Sequence, residues 1–180
     1  GSGVDTTADT LELSDAELDT ITGVLTIGDA SLTGGITVTA AVDTANVTEM
    51  SLVADSAVND DGGAATGITE ANLTIDAADG VGFTGSGNAV GALDVTNNTS
   101  GNIAFTNDTA MTVTAVNTVA GGTIDITNNT GTTATAAGGI SSSGGGAANI
   151  SVTSAGTLTV GHDISAGDIG AVSLRVSGAG

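Results

Sequence analysis

The chain contains no cysteine, no proline, no tryptophan and no tyrosine, and its only cationic side chain is Arg175. Without cysteine no disulfide staples the core, and the redox compartment is left open. Without proline no strand loses a ladder donor. Phe83 and Phe105 are the only aromatics, so Val, Ile, Leu and Ala must fill the interior. Such small side chains suit a thin, layered core in which each residue stacks on its equivalent one layer away. One cation against 20 acids gives a formal net charge of -19, which repels nucleic acid and anionic lipid and removes both as partners. No run approaches the roughly 18 apolar residues of a membrane helix, and no aromatic girdle marks a membrane barrel. Membrane insertion is therefore not expected.

What remains is a chain of 180 residues, 39% hydrophobic, with 29 glycines and abundant Thr, Asn, Asp and Ser. Helix is disfavoured by that mixture, while corners and strands are favoured. The stretch LDVTNNTSG at residues 93–101 returns as IDITNNTGT at 124–132, with a weaker copy, IAFTNDTA, at 103–110. Apolar-x-apolar triplets begin at Leu25, Ile36, Met50, Leu73, Leu93, Ile103, Met111, Ile124, Ile150, Leu158 and Leu174. Neighbouring triplets are spaced as one strand plus one corner, or as a full turn. Strand alternation puts the outer pair of each triplet inward and the middle residue outward.

These patterns predict an all-β parallel β-helix, a β-solenoid of about eight turns of roughly 20 residues, which at about 4.8 Å per turn is about 40 Å long. The alternative is an antiparallel β-sandwich, whose hairpins would want Asn-Gly or Asp-Gly connections. Only Asp61-Gly62 and Asp79-Gly80 provide them. The repeated Asn-Asn-Thr corners instead suggest side-chain ladders along a stack. Residues 1–180 read as one solenoid segment, with loop excursions at 55–70 and 136–147. Residues 9–21 read as the one expected helical turn, with Ser14 and Glu17 as a capping box, or as an irregular first strand. The opening GSG, with neither Met nor a basic leader, reads as a mature or excised chain.

Residues 11–42, LELSDAELDTITGVLTIGDASLTGGITVTAAV, resemble the recurring module of large bacterial exoproteins of the filamentous haemagglutinin and autotransporter-passenger type: an acidic turn, then TIT-x-x-LTIG, then G-x-ITV. The rest of the chain is similar in style only. The resemblance implies a right-handed parallel β-helix, secretion to the extracellular space or bacterial cell surface, and a part in adhesion, surface structure or matrix. Its motifs are structural repeats, so they speak for architecture and carry no activity.

Catalytic chemistry has little to work with. His162, followed by Asp163, is the only histidine, and no G-x-S-x-G elbow organises a nucleophile for it. Enzymes that cleave acidic polysaccharides need cations, and glycosidases need paired carboxylates beside sugar-stacking aromatics. No enzymatic activity is expected. Calcium is the more credible ligand, because 20 acids on such a rod give roughly one charge per 2 Å, close to the density of DNA. The best local group is Asn59, Asp60 and Asp61, followed by two glycines, where oxygens meet a turn able to wrap a hard cation. N-x-S/T sequons occur at Asn46, Asn72, Asn97, Asn98, Asn107, Asn128 and Asn149, a minor glycosylation hypothesis. T-x-T triplets at Thr37, Thr112, Thr133 and Thr157 are too unevenly spaced for one regular face.

The expected function is structural: a segment of an extracellular or cell-surface fibre or adhesin, able to associate with itself end to end into filaments. The alternative is an adhesive module presenting loops 55–70 and 136–147 to a cell-surface or matrix ligand.

Overall fold

A computed structural model describes residues 13–31, 33–63, 66–119, 121–145 and 148–178. The chain winds into a β-solenoid of seven rungs. The first rung holds helix α1 (Asp15–Leu18) and strands β1 (Gly23–Asp29) and β2 (Ile36–Val38). The second holds β3 (Ala41–Asp43), β4 (Val47–Ala54) and β5 (Val58–Asp60), and the third β6 (Gly67–Ala77) and β7 (Val81–Phe83). The fourth is β8 (Ala89–Asn97) and β9 (Ile103–Asn107), the fifth β10 (Met111–Thr118) and β11 (Ile124–Asn128), and the sixth β12 (Thr133–Ser142) and β13 (Ile150–Ser154). The seventh holds β14 (Leu158–Val160), β15 (Ile164–Ser165) and β16 (Val172–Val176).

All pairings are parallel. One sheet runs β1-β4-β6-β8-β10-β12-β14, with β3 on β6 and β15 on β12, and the other runs β16-β13-β11-β9-β7-β5-β2. Consecutive strands in the chain alternate between the two sheets, so every neighbour within a sheet is one full turn away. The antiparallel sandwich is thereby replaced by the parallel stack. Seven rungs stand where about eight were expected, because Ile36, Val58, Val81, Ile103, Ile124, Ile150 and Val172 stack at intervals of 21 to 26 residues.

The interior is a bundle of such columns. Leu52, Ile75, Val95, Val116 and Ile140 form one, from β4 to β12. Phe105, Ile126 and Val152 form another, with Phe83 paired to Phe105 at a ring-centroid distance of 5.8 Å. Between the second and sixth rungs these residues are almost wholly buried. Each is covered by its equivalents above and below, which is why modest side chains suffice.

All eleven expected triplets fall in strands. The two expected excursions do not hold as such. Residues 58–60 form β5 and residues 67–70 open β6, while 136–142 lie in β12; residues 64–65 and 146–147 lie outside the described ones. The acidic and glycine-rich stretches kept their strands because inward positions are taken by Asp60 and Ser142, which a pattern of apolar pairs does not register. The expected helical turn is α1, and its Glu17 carboxylate accepts hydrogen bonds from the Ser14 amide at 2.9 Å and the Ser14 hydroxyl at 2.7 Å. Residues 9–12 of that expectation lie outside the described ones.

Candidate functional site

The polar residues gather at the corners, and there the two strongest repeats part company. LDVTNNTSG closes β8 in one sheet, whereas IDITNNTGT closes β11 in the other. They sit at different corners and never stack on each other. The true partner of 124–132 is the weaker copy at 103–110, with Thr127 on Thr106 and Asn128 on Asn107. An ideal ladder of identical asparagines is thus not what forms.

The first Asn of each corner turns inward and is consumed by backbone. Asn97 Oδ1 accepts from the Gly80 amide at 3.0 Å while its Nδ2 donates to the Ser100 and Gly101 carbonyls. Asn128 Oδ1 accepts from the Gly131 amide at 2.9 Å and its Nδ2 donates to the Thr109 and Thr132 carbonyls. Asn107 and Asn88 do the same for Val90 and Ile68. Backbone groups at a bend have no ladder partner, and a buried amide side chain provides both donor and acceptor. Gly101, at φ +87°, completes one corner, since a β-carbon there would collide with the Asp79 carbonyl oxygen.

The second Asn faces outward and meets a carboxylate of the rung before. Asn98 Nδ2 donates to Asp76 Oδ1, and Asn129 Nδ2 donates to Asp108 Oδ1 at 2.8 Å. Ser100 Oγ likewise donates to Asp79 Oδ1 at 2.8 Å. Moreover, in none of the strand registers does an acid stand directly opposite another acid. Every strand acid faces a neutral residue across the register, so no two like charges stand directly opposite each other.

Two acids sit in harder places. Glu70 is buried and its carboxyl is pushed above the usual range by desolvation, opposed by the Thr44 hydroxyl that donates to it and reinforced by the negative charge of Asp43. Asp94 is raised by burial and, secondarily, by Glu49.

Asn59, Asp60 and Asp61 are dispersed by the strand itself. Asn59 is on the outer face of β5, and Asp60 turns into the core. Asp60 Oδ1 accepts from the Gly62 amide at 3.0 Å and Oδ2 from the Gly85 amide at 2.8 Å, so its oxygens fasten its own loop and the next rung. Asp61 is exposed and accepts from the Gly63 amide at 2.9 Å. Among the described residues, no group of three or more His, Cys, Asp or Glu side chains is placed to hold a metal ion.

His162 is exposed in the turn between β14 and β15, its amide donating to Thr135 Oγ1 at 3.1 Å. Of the sequons, Asn97, Asn107 and Asn128 are core residues, whereas Asn46, Asn72, Asn98 and Asn149 are exposed. The T-x-T residues scatter: Thr37 faces out, Thr133 is interior. A threonine row does form elsewhere, through Thr106, Thr127 and Thr153 on the outer face of the second sheet. Register created it, and the chain's unequal turn lengths hid it from sequence spacing.

The ends of the rod are the remaining feature. At the start, α1 lies over β3, with Asp15 Oδ1 accepting from the Asp43 amide at 2.8 Å and Asp19 Oδ1 from the Ala45 amide at 3.1 Å. At the far end Val160, Ile169, Val172, Leu174 and Val176 are all exposed. Set against protein-family models, curated proteins and solved structures, the chain matches none.

Proposed function

We propose that this chain is a structural rod, a β-solenoid segment of an extracellular or cell-surface fibre or adhesin. The observation that carries the reading is where the polar groups go. The corner asparagines are spent on backbone, and several outward acids are spent on donors of the adjacent rung. Side chains committed to holding rungs together serve stiffness and resistance to unfolding rather than turnover. The style of residues 11–42, of which 11, 12 and 32 lie outside the described ones, supports an exoprotein setting. A chain with a single basic residue, Arg175, also offers trypsin one cleavage site, which suits an exposed location.

Antibody raised against the folded chain tests the setting. Labelling of intact source cells, lost after protease shaving of the surface, is the expected result. Labelling that requires permeabilised cells would sink the extracellular reading.

A further inference from the structure

The chain contains two Asp-Gly steps, Asp61-Gly62 after β5 and Asp79-Gly80 before β7. A glycine carries no β-carbon to shield its amide nitrogen, so that nitrogen can reach the side-chain carboxyl of the aspartate before it. The fold treats the two steps in opposite ways.

Asp79-Gly80 is closed. Asp79 Oδ1 accepts from the Ser100 hydroxyl at 2.8 Å, and the Gly80 amide donates to Asn97 Oδ1 at 3.0 Å. Gly80 is buried, and a β-carbon on it would press on the Asn102 carbonyl oxygen at 2.9 Å. Both groups that would react are occupied, and the space between them and the next rung is filled.

Asp61-Gly62 is open. Both residues are exposed, and a β-carbon on Gly62 would meet nothing within 4 Å. Asp61 Oδ1 accepts from the Gly63 amide at 2.9 Å, which closes a ring of atoms around Gly62 and draws the carboxyl toward the Gly62 peptide. The Gly62 amide in turn donates to Asp60 Oδ1 at 3.0 Å. Asp60 is 8% exposed and is fixed by its other oxygen, which accepts from the Gly85 amide of the next rung at 2.8 Å. A carboxylate held on an amide hydrogen pushes electron density onto the nitrogen and stands ready to take the proton. The acceptor at Gly80 is a neutral amide, which cannot.

We propose that Asp61-Gly62 is a site of spontaneous backbone modification, at which Asp60 serves as the base and Asp61 rearranges to an isoaspartyl link. Gly62 N forms a bond to Asp61 Cγ, its hydrogen passes to Asp60 Oδ1, and the hydroxyl of the protonated Asp61 carboxyl leaves, taking that proton, as water. The resulting succinimide adds water at the main-chain carbonyl of Asp61. The original peptide bond to Gly62 breaks, the chain now runs through Cγ, and a carboxylate is left on Cα. Overall no atom is gained or lost, and water is the sole co-reactant. The product carries one more methylene in its main chain immediately after β5. The bond from Asp60 to Gly85 precedes the change and is kept, so the second and third rungs stay fastened, whereas the bond from Gly63 to the Asp61 carboxyl is lost. The inference is independent of where the rod resides.

The test incubates the folded 180-residue chain near neutral pH, below its melting temperature. Samples are digested with an endoproteinase that cuts before aspartate but not before isoaspartate, and the peptides are identified by mass. Isoaspartyl carboxyls are counted in parallel by enzymatic methyl transfer. Expected is a progressive loss of cutting at Asp61, through a transient species lighter by one water, while Asp79 stays unchanged. In urea, where neither corner exists, both steps should convert at similar rates. Asp60→Asn keeps an acceptor for the Gly62 amide but cannot take its proton, and should slow conversion about tenfold, less than the effect of an evolved general base. Should that variant fail to fold, the wild-type chain decides: Asp61 converts at least as fast folded as in urea, and Asp79 far more slowly. An Asp61 that stays intact in the folded chain, equal conversion at Asp61 and Asp79, slower conversion of Asp61 folded than in urea, or a folded Asp60→Asn chain that converts at the wild-type rate would overturn the inference.

Discussion

Val152 and Leu174 occupy adjacent places in one column, on β13 and β16, with the same strand alternation around them, yet Val152 is 0% exposed and Leu174 is 45% exposed. Ile150 and Val172, beside them, are 1% and 43% exposed. Nothing in the local sequence distinguishes the pairs. What differs is whether a further rung lies on top. In a globular fold burial reflects position around one centre; here it is delivered rung by rung, by nearest neighbours. The sixth rung is core because the seventh covers it, and among the described residues no strand covers the seventh.

The largest effect should come from testing that contrast with truncations in the interior and at the end. Phe105→Ala removes a ring packed between rungs and against Phe83, and should cost about 3–5 kcal/mol. Leu174→Ala, in the same column on the seventh rung, where the side chain is 45% exposed, should cost well under about 1 kcal/mol. Chemical denaturation of both variants, followed by circular dichroism, checks the pair. Equal losses would mean that the last rung is as covered as the middle ones and would break the comparison.

The corners give the next contrast, between Asn128 of the fifth rung and Ser154, which stacks on it in the sixth. Asn128 makes four bonds to backbone, with Thr109, Thr130, Gly131 and Thr132. Ser154 Oγ donates toward the Gly131 and Thr157 carbonyls at 3.1 and 3.3 Å. Asn128→Ala leaves several buried backbone groups without partners and should cost about 2–3 kcal/mol; Ser154→Ala should cost about 1 kcal/mol. A smaller loss for Asn128 than for Ser154 would show that water replaces the amide at the corner.

How much of this was legible follows from which signals are local. The triplets such as Leu73 to Ile75 and Ile124 to Ile126 announce strands because alternation needs only neighbouring residues. Strand β12 escaped notice because its inward residues include Thr133, Thr135 and Ser142, and a threonine that faces the core is indistinguishable in sequence from one that faces water. Strand β5 escaped for the same reason, through Asp60. Stacking is non-local, so it was the least readable part: Asn97 and Asn128 share a motif but not a corner, and turn lengths that vary by several residues conceal which copy lies on which. The 59–61 group was visible as a cluster in one dimension, whereas β5 turns Asp60 inward and Asn59 outward, with Asp61 exposed beyond the strand.

Thr133 offers a smaller and oppositely signed test. It stands in a column between Met111 and Leu158, and among the described residues its Oγ1 is buried with no hydrogen-bond partner. Thr133→Val keeps the shape and removes the orphan hydroxyl, so it should stabilise the chain by about 1 kcal/mol, roughly 2–4 °C in melting temperature. Thr135, two residues on, accepts from the Gly161 and His162 amides, and the same replacement there should destabilise. Opposite signs at two threonines of one strand would show that the hydrogen bond, not the residue type, decides.

The smallest effect concerns the two desolvated carboxyls, and its sign follows from the direction of their shifts. Glu70 and Asp94 are both held above their usual values, chiefly by burial. A carboxyl whose folded pKa exceeds its unfolded one contributes stability that is fully present below the unfolded value and is lost as pH rises through the folded value. Lowering the pH from neutral toward the carboxylate range should therefore raise the melting temperature, with the general relief of a net charge of -19 acting in the same direction. The two contributions separate by substitution. Glu70→Gln retains an oxygen to accept the Thr44 hydroxyl and removes the buried charge, so it should be more stable than the wild type near neutral pH and gain less on acidification. A surface change such as Asp168→Asn, on an exposed turn of the last rung, alters the net charge equally and should leave the pH dependence almost unchanged. If both variants behave alike, the gain at low pH belongs to the summed surface charge, and Glu70 is no more than one of twenty acids.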